Sequence, residues 1–196
     1  LISKKSKIKL KFDFNKVFLK IKLPTDLPDP YVNLIELEYA KRPTVDKDLV
    51  AKAKFNGYSL KLSNSESYEG NYISNKSKRE GSIPANIQVN DSLKISWKIF
   101  VDRPSKFNID TSYNFQKKIT DGYMTVSINE ESFQHPFNYT GKTVGEPIED
   151  YIIDKFKSST IGTINFDDVG FYNIELKINT SSQNPLQWQW LWLEEI

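Results

Sequence analysis

The 196-residue chain sets 27 basic against 25 acidic side chains, a net charge of +2 with no concentrated positive field, which argues against nucleic acid as its main partner. It has no cysteine, so disulfides, thiol nucleophiles and thiolate metal sites are excluded, and no apolar run approaches membrane-spanning length. Hydrophobic residues at 38% can fill a core, and aromatics at 13% favour a strand-rich fold.

Read in chain order, the sequence is a succession of short period-two segments. The Lys-rich start, Ser3 to Lys11, reads as the wet face of an edge strand. Ile8 to Phe14 alternates apolar and polar residues, Asn15 and Lys16 make a turn, and Val17 to Leu23 resumes the alternation, which predicts a hairpin. Pro24, Pro28 and Pro30 stiffen a loop before a third strand, Val32 to Tyr39. Ala40 to Lys54 is charged and weakly periodic and is expected to be a linker, dividing residues 1–45 from a second domain, 46–196.

Tyr58 to Leu62 alternates again, and the polar stretch Ser63 to Gly81 is expected to be a long loop. Leu93 to Val101 is the clearest strand, with Leu93, Ile95, Trp97, Ile99 and Val101 on one face and Trp97 expected in the core. Further strands follow at Phe107 to Tyr113, Tyr123 to Ile128, Thr160 to Phe166 and Phe171 to Ile178, with turns at Asn129–Glu130 and Asp168–Gly170. The last strand carries Trp188, Trp190 and Trp192 at two-residue spacing, which predicts a row of indoles on one side of a sheet. Only Glu146 to Phe156, with Pro147 at its first position, could form a helix. The pattern predicts an all-β fold, an antiparallel β-sandwich.

Little in the chain is chemically reactive. The single histidine, His135, precedes Pro136 without a neighbouring serine, acid or second histidine, and is expected to be a hydrogen-bonded loop residue. No glycine-rich phosphate loop occurs. Glu149, Asp150 and Asp154 would lie together on the short helix, where a solvated face accounts for them. Asn165 to Gly170 brushes a calcium-loop pattern but places Val169 where an oxygen ligand is needed.

The aromatic residues are the better candidates for a site. Flat rings near amides and carboxylates can stack on the C–H face of a sugar while the polar groups bind its hydroxyls. Tyr68 and Tyr72 lie among Asn64, Glu66, Glu69 and Asn71. Trp188 and Trp190 stand beside Gln183, Asn184, Gln187 and Gln189. The competing reading packs the tryptophans into the core or against a neighbouring domain.

Two stretches carry a family resemblance. Phe18 to Pro24, followed by Pro28 to Glu38, resembles the end of the β-sandwich that follows the catalytic barrel in bacterial α-L-fucosidases of glycoside hydrolase family 29. From about Gly57 onwards, Ser96 to Pro104, Thr140–Gly141, Ile161 to Ile164, Gly170 to Lys177 and Trp192 to Ile196 resemble the additional C-terminal sandwich of such enzymes, a galactose-binding-like jelly roll similar to carbohydrate-binding modules.

The resemblance implies a non-catalytic accessory module of a secreted or periplasmic bacterial glycoside hydrolase. Residues 1–45 would be strands from the end of a preceding sandwich, and 46–196 the module itself. Its expected partners are glycan, bound weakly, and the catalytic barrel of the same parent chain. No barrel is present here, so the family's nucleophile and acid/base have no counterpart. The resemblance also implies a structural calcium, with Glu66 and Glu194 near the expected ligand positions. Lys142 to Ile153 departs from the family pattern as an insertion, and the terminal tryptophans stand where smaller residues are common. The alternative is a free-standing structural or adhesion sandwich with no sugar ligand.

Overall fold

The computed structural model describes residues 8–15, 17–27, 29, 31–42, 44, 46–53, 56–75, 86–115, 122–141, 156–180 and 186–196. The chain divides into two compact units, Leu1–Asp46 and Lys47–Ile196.

The first unit holds one hairpin. Strands β1 (Lys11–Asn15) and β2 (Phe18–Lys22) pair antiparallel, with Phe12 opposite Ile21 and Phe14 opposite Leu19. Lys11, Asp13, Lys20 and Lys22 alternate with them and take the other face. Beyond the hairpin, the Asp29 carboxylate accepts hydrogen bonds from the backbone of Tyr31 at 2.8 Å and Val32 at 3.0 Å, folding the proline-rich loop on itself. The expected third strand is corrected: Val32 to Tyr39 contains only an isolated bridge at Leu34. Its period-two apolar residues find no ladder among the described residues and stay exposed. No described side chain of this unit is buried, and Phe12 is 68% and Tyr31 91% exposed.

The second unit is all β among its described residues, apart from a single 3-10 turn at Leu62–Asn64. One layer runs β10 (Lys157–Phe166), β7 (Ser105–Phe115), β12 (Leu186–Glu195), β4 (Gly57–Leu60). The other is built on β6 (Asn86–Val101). On one side of it come β11 (Gly170–Asn179), β8 (Tyr123–Ile128) and β9 (Glu131–Pro136); on the other lie β5 (Ser67–Asn75) and the two-residue β3 (Leu49–Val50). The layers join where Leu186, Gln187 and Trp188 pair with Val89, Gln88 and Ile87. All the pairings are antiparallel except β3 with β6. This is the antiparallel β-sandwich that the alternating pattern and turn spacing imply.

Inward-facing residues of both layers make one core. Leu93, Ile95, Trp97, Ile99 and Val101 of β6 join Phe107 and Ile109 of β7 and Ile174, Leu176 and Ile178 of β11. The polar handles of its large aromatics are satisfied. Tyr58 donates to the Phe100 carbonyl at 2.7 Å and the Trp97 indole to the Lys61 carbonyl at 2.8 Å. Both tie an aromatic to the backbone of a segment distant in sequence.

Two further expectations change. The stretch read as a long loop, Ser63 to Gly81, contains β5, an edge strand whose polar residues are tolerated because it is largely exposed. His135 sits in a strand rather than a loop: β9 pairs with β8, and its Nε2 lies 3.4 Å from the Tyr113 hydroxyl. Burial lowers its pKa, favouring the neutral ring. Residues 146–155 of the expected helix lie outside the described residues.

The end of β12 is clamped by charge. Glu195 pairs with Lys52 at 2.6 Å and with Arg103 at 2.9 Å, and it accepts from the Ser105 hydroxyl at 2.7 Å. Burial pushes this carboxyl up, but the bonds from Lys52, Ser105 and Arg103 outweigh it and bring it down to about 2. A carboxylate depressed in the folded state stabilises fully above its ordinary pKa of 4.5, and that contribution fades as pH falls towards 2. Glu195→Gln is expected to cost about 2 kcal/mol at pH 7, discounted because Arg103 is largely solvent-exposed. Thermal melts from pH 7 to pH 2.5 check this: the gap between the proteins narrows as pH falls from about 4.5 towards 2, and a gap as large at pH 2.5 as at pH 7 contradicts the clamp.

Candidate functional site

Strand β12 does not present its tryptophans as a single row. Trp188 pairs with Tyr113 and Trp190 with Ser112, so Gln189 is an extra residue, a β-bulge. Residues 113 and 112 of β7 face opposite ways, and so therefore do Trp188 and Trp190. The expectation of three indoles on one side is corrected: Trp188 points into the core, while Trp190 and Trp192 take the outer face. Side-chain bonds hold the bulge in place. Ser112 donates to the Gln189 side-chain carbonyl at 2.8 Å, and Thr111 to the Trp190 backbone carbonyl at 3.1 Å.

Trp188 is 1% exposed. Its indole N–H donates to the Thr111 hydroxyl at 3.1 Å, and its ring lies 6.1 Å from that of Trp97, tilted by 43°. It is a core residue with no surface to offer a ligand. The sequence carries a sign of this. The inward apolar positions of β12 run Leu186, Trp188, then Leu191, Leu193, a change of parity that only an extra residue can produce.

On the outer face the register sets Trp190 opposite Ser112 and Trp192 between Asp110 of β7 and Ser59 of β4. Glu194 falls between Asn108 and Gly57. Both outward indoles are half-buried. Residues directly opposite on antiparallel strands share a face, so these side chains form one continuous patch. Its far side is tied down from β10, where Thr160 donates to Asp110 at 2.6 Å and Thr163 to Asn108 at 3.1 Å. Trp192 rests on bare backbone: a Cβ at Gly57 would stand 2.4 Å from its Cζ2 atom.

The tyrosine pair lies on the other layer. Tyr68 and Tyr72 of β5 sit on the side of Ile95 and Val89, at the sheet edge. Their rings meet edge to face, with centroids 5.5 Å apart. Tyr68 is 52% exposed, whereas Tyr72 packs against the core. A hydrogen bond with the Tyr68 hydroxyl, helped by burial, raises the Tyr72 pKa. Between them Gly70, at φ +121°, brings the backbone against β6, where a Cβ would stand 2.4 Å from the Ser92 carbonyl.

The remaining sequence candidates are dispersed. Asn64 accepts from the Lys61 backbone at 2.8 Å and donates to the Ser59 carbonyl at 2.8 Å, closing the turn before β5. Gln183 and Asn184 lie outside the described residues. Glu66 is exposed and anchored by its backbone N–H to the Ser96 carbonyl of β6, while Glu194 is exposed on the outer face of β12. Among the described residues no group of three or more histidine, cysteine, aspartate or glutamate side chains gathers as a metal site. A separate shallow cleft of about 500 Å³ lies between the β8–β9 turn and the end of β10, rimmed by Asn129, Glu130, Glu131 and Asn165. No described helix is long and apolar enough to cross a membrane.

No family model matches the chain, and no curated protein matches it. Among solved structures it is similar to the mosquito-larvicidal Cry4Aa toxin from Bacillus thuringiensis, with a TM-score of 0.55 and 12% identity over 78% of this chain. The chain spans 25% of that toxin's length, and the likeness shows the fold alone. It also aligns with a carbohydrate-binding module of Cellvibrio mixtus lichenase 5A in complex with cellotriose, at a TM-score of 0.49 and 10% identity, covering 70% of this chain and 96% of the module. A C-terminal module of a laminarinase from Zobellia galactanivorans aligns at a TM-score of 0.49 and 12% identity, covering 71% and 99%.

Two classes of tryptophan should be separable in solution. Acrylamide is expected to quench Trp190 and Trp192 and to spare Trp97 and Trp188. Trp188→Ala should cost about 3–5 kcal/mol of stability, and Trp190→Ala about 1 kcal/mol. Gly57→Ala is expected to displace Trp192 and shift its emission. Equal stability losses at positions 188 and 190 in urea titrations would contradict the bulge.

Proposed function

We propose that this chain is a non-catalytic, glycan-binding accessory module of a secreted glycoside hydrolase, of the kind that follows the barrel in α-L-fucosidase-like enzymes. One observation carries the binding half of that reading. The bulge at Gln189 turns Trp190 and Trp192 onto a face that also bears Asp110, Asn108, Glu194 and the Ser59 hydroxyl, while the Ser112 hydroxyl is buried and bonded to Gln189. Aromatic platforms beside hydrogen-bonding groups are what a sugar, apolar on one side and polar at its rim, requires. Both indoles are half-buried there rather than enclosed like Trp188. The exposed Tyr68, braced by Tyr72, supplies a second and smaller platform.

The docking half rests on the first unit. None of its described side chains is buried, while Phe12, Phe14, Tyr31, Val32 and Leu34 are all more than 60% exposed. A two-stranded hairpin is at best marginally stable in water, and so much exposed apolar surface is the mark of an interaction site. The covering layer in this reading is the preceding sandwich or catalytic domain of the same parent chain. Among the described residues, carboxylates with defined partners are held in ion pairs or hydrogen bonds, and His135 faces Tyr113.

Isothermal titration and affinity electrophoresis with soluble polysaccharides test the binding. Weak, reversible binding is expected, with the double replacement Trp190→Ala and Trp192→Ala weakening it at least tenfold while leaving the far-UV circular dichroism unchanged. Binding that survives both replacements, or no retention by any glycan, contradicts the assignment of this face.

A further inference from the structure

We propose that Asn56 is a site of spontaneous backbone modification. Its side chain closes a succinimide ring on the Gly57 nitrogen, and water opens that ring to aspartate or isoaspartate beside the glycine that seats Trp192. Two separate demands of the fold bring the pair together. Ala53 to Gly57 form a tight turn, in which the Ala53 N–H donates to the Gly57 carbonyl at 2.7 Å and the Asn56 N–H to the Ala53 carbonyl at 3.2 Å. Asn56 closes it at φ +53°, a left-handed conformation that asparagine adopts more readily than most residues. The next residue has to be glycine, because a Cβ at 57 would stand 2.4 Å from the Trp192 ring and 2.5 Å from the Leu193 carbonyl. Turn and indole together dictate the only Asn-Gly step in the chain.

That step is labile because glycine has no side chain to shield the attacking nitrogen. The Gly57 amide nitrogen gives up its proton and bonds to Cγ of Asn56, and the Cγ–Nδ2 bond breaks to release ammonia. Water then adds to the ring. Opening at Cγ gives aspartate. Opening at the α-carbonyl leaves Gly57 attached through the former side chain, an isoaspartate with one extra methylene in the backbone and a free α-carboxylate. Asn56 is exposed and Gly57 buried, so the ring closes during local openings of the turn, which two backbone bonds hold shut. The isoaspartate product disturbs β12. The Asn56 carbonyl that accepts from the Glu195 N–H at 3.0 Å becomes the free carboxylate. The added methylene shifts Gly57 from its place opposite Glu194, and Trp192 loses the bare backbone it rests on. Asn129 provides the comparison within the same chain. It too is exposed at φ +53°, but Glu130 follows it, and that side chain crowds the approach.

Incubation of the whole chain in warm, mildly alkaline buffer tests the proposal, with peptide mass spectrometry and an isoaspartate-specific assay as readouts. Asn56 is expected to convert at least tenfold faster than Asn129, and tryptophan emission to shift in step with the isoaspartate fraction. Asn56→Gly, which suits the positive φ, should fold normally and show no such shift over the same time. An Asn56 that stays intact while a short peptide of the same sequence converts overturns the proposal. So does conversion of Asn129 at an equal rate, or an emission shift that Asn56→Gly fails to abolish. These readouts need no ligand, so the glycan-binding reading stands or falls separately.

Discussion

The one residue inserted at Gln189 governs what this molecule can present to a ligand. A strand has only two faces, and its side chains alternate between them without exception until an extra residue intervenes. Before the bulge β12 sends Leu186 and Trp188 inward; after it, Leu191 and Leu193. The strand therefore seals the core along its whole length and still turns two half-buried indoles outward. Thr111 carries the arrangement through one hydroxyl, accepting from the Trp188 indole and donating to the Trp190 carbonyl. Inner packing and outer surface thus share a hydrogen-bonded pivot.

That pivot sits between the strands that join the two layers. Just before the bulge, β12 lies between β7 and the first residues of β6, and just after it lies between β7 and β4. The change of partner and the change of face occur at the same place. At the far end of the strand, Glu195 locks Lys52, Arg103 and Ser105 together, so both ends of β12 are fixed. A platform held this rigidly loses little entropy when a ligand settles on it.

The fold was largely legible in the sequence because its central strands obey period-two alternation. Leu93 to Val101 is the plain case: every second residue is buried. Legibility failed where pairing rather than pattern makes the strand. β5 is polar and lies at an edge, so its backbone bonds to β6 form without an apolar face to announce them. The converse error is Val32 to Tyr39, which has the alternation but no ladder among the described residues. The site was half legible. Trp190 and Tyr68, singled out by residue type, do stand on outward or exposed surface, whereas Trp188 was misplaced by counting in twos through a bulge. The switch from even to odd apolar positions in Leu186–Leu193 held the correction.

The central claim is that two indoles of β12 meet ligand while two others, Trp97 and Trp188, lie shut in the core. Nitrogen-15 spectra resolve the four indole N–H groups individually, and a titration with a neutral oligosaccharide reads each of them. The account predicts that the Trp190 and Trp192 resonances move with saturable dependence on ligand, while those of Trp97 and Trp188, bonded to Lys61 and Thr111, stay in place. Movement of the Trp188 resonance with Trp190 and Trp192 silent would contradict it.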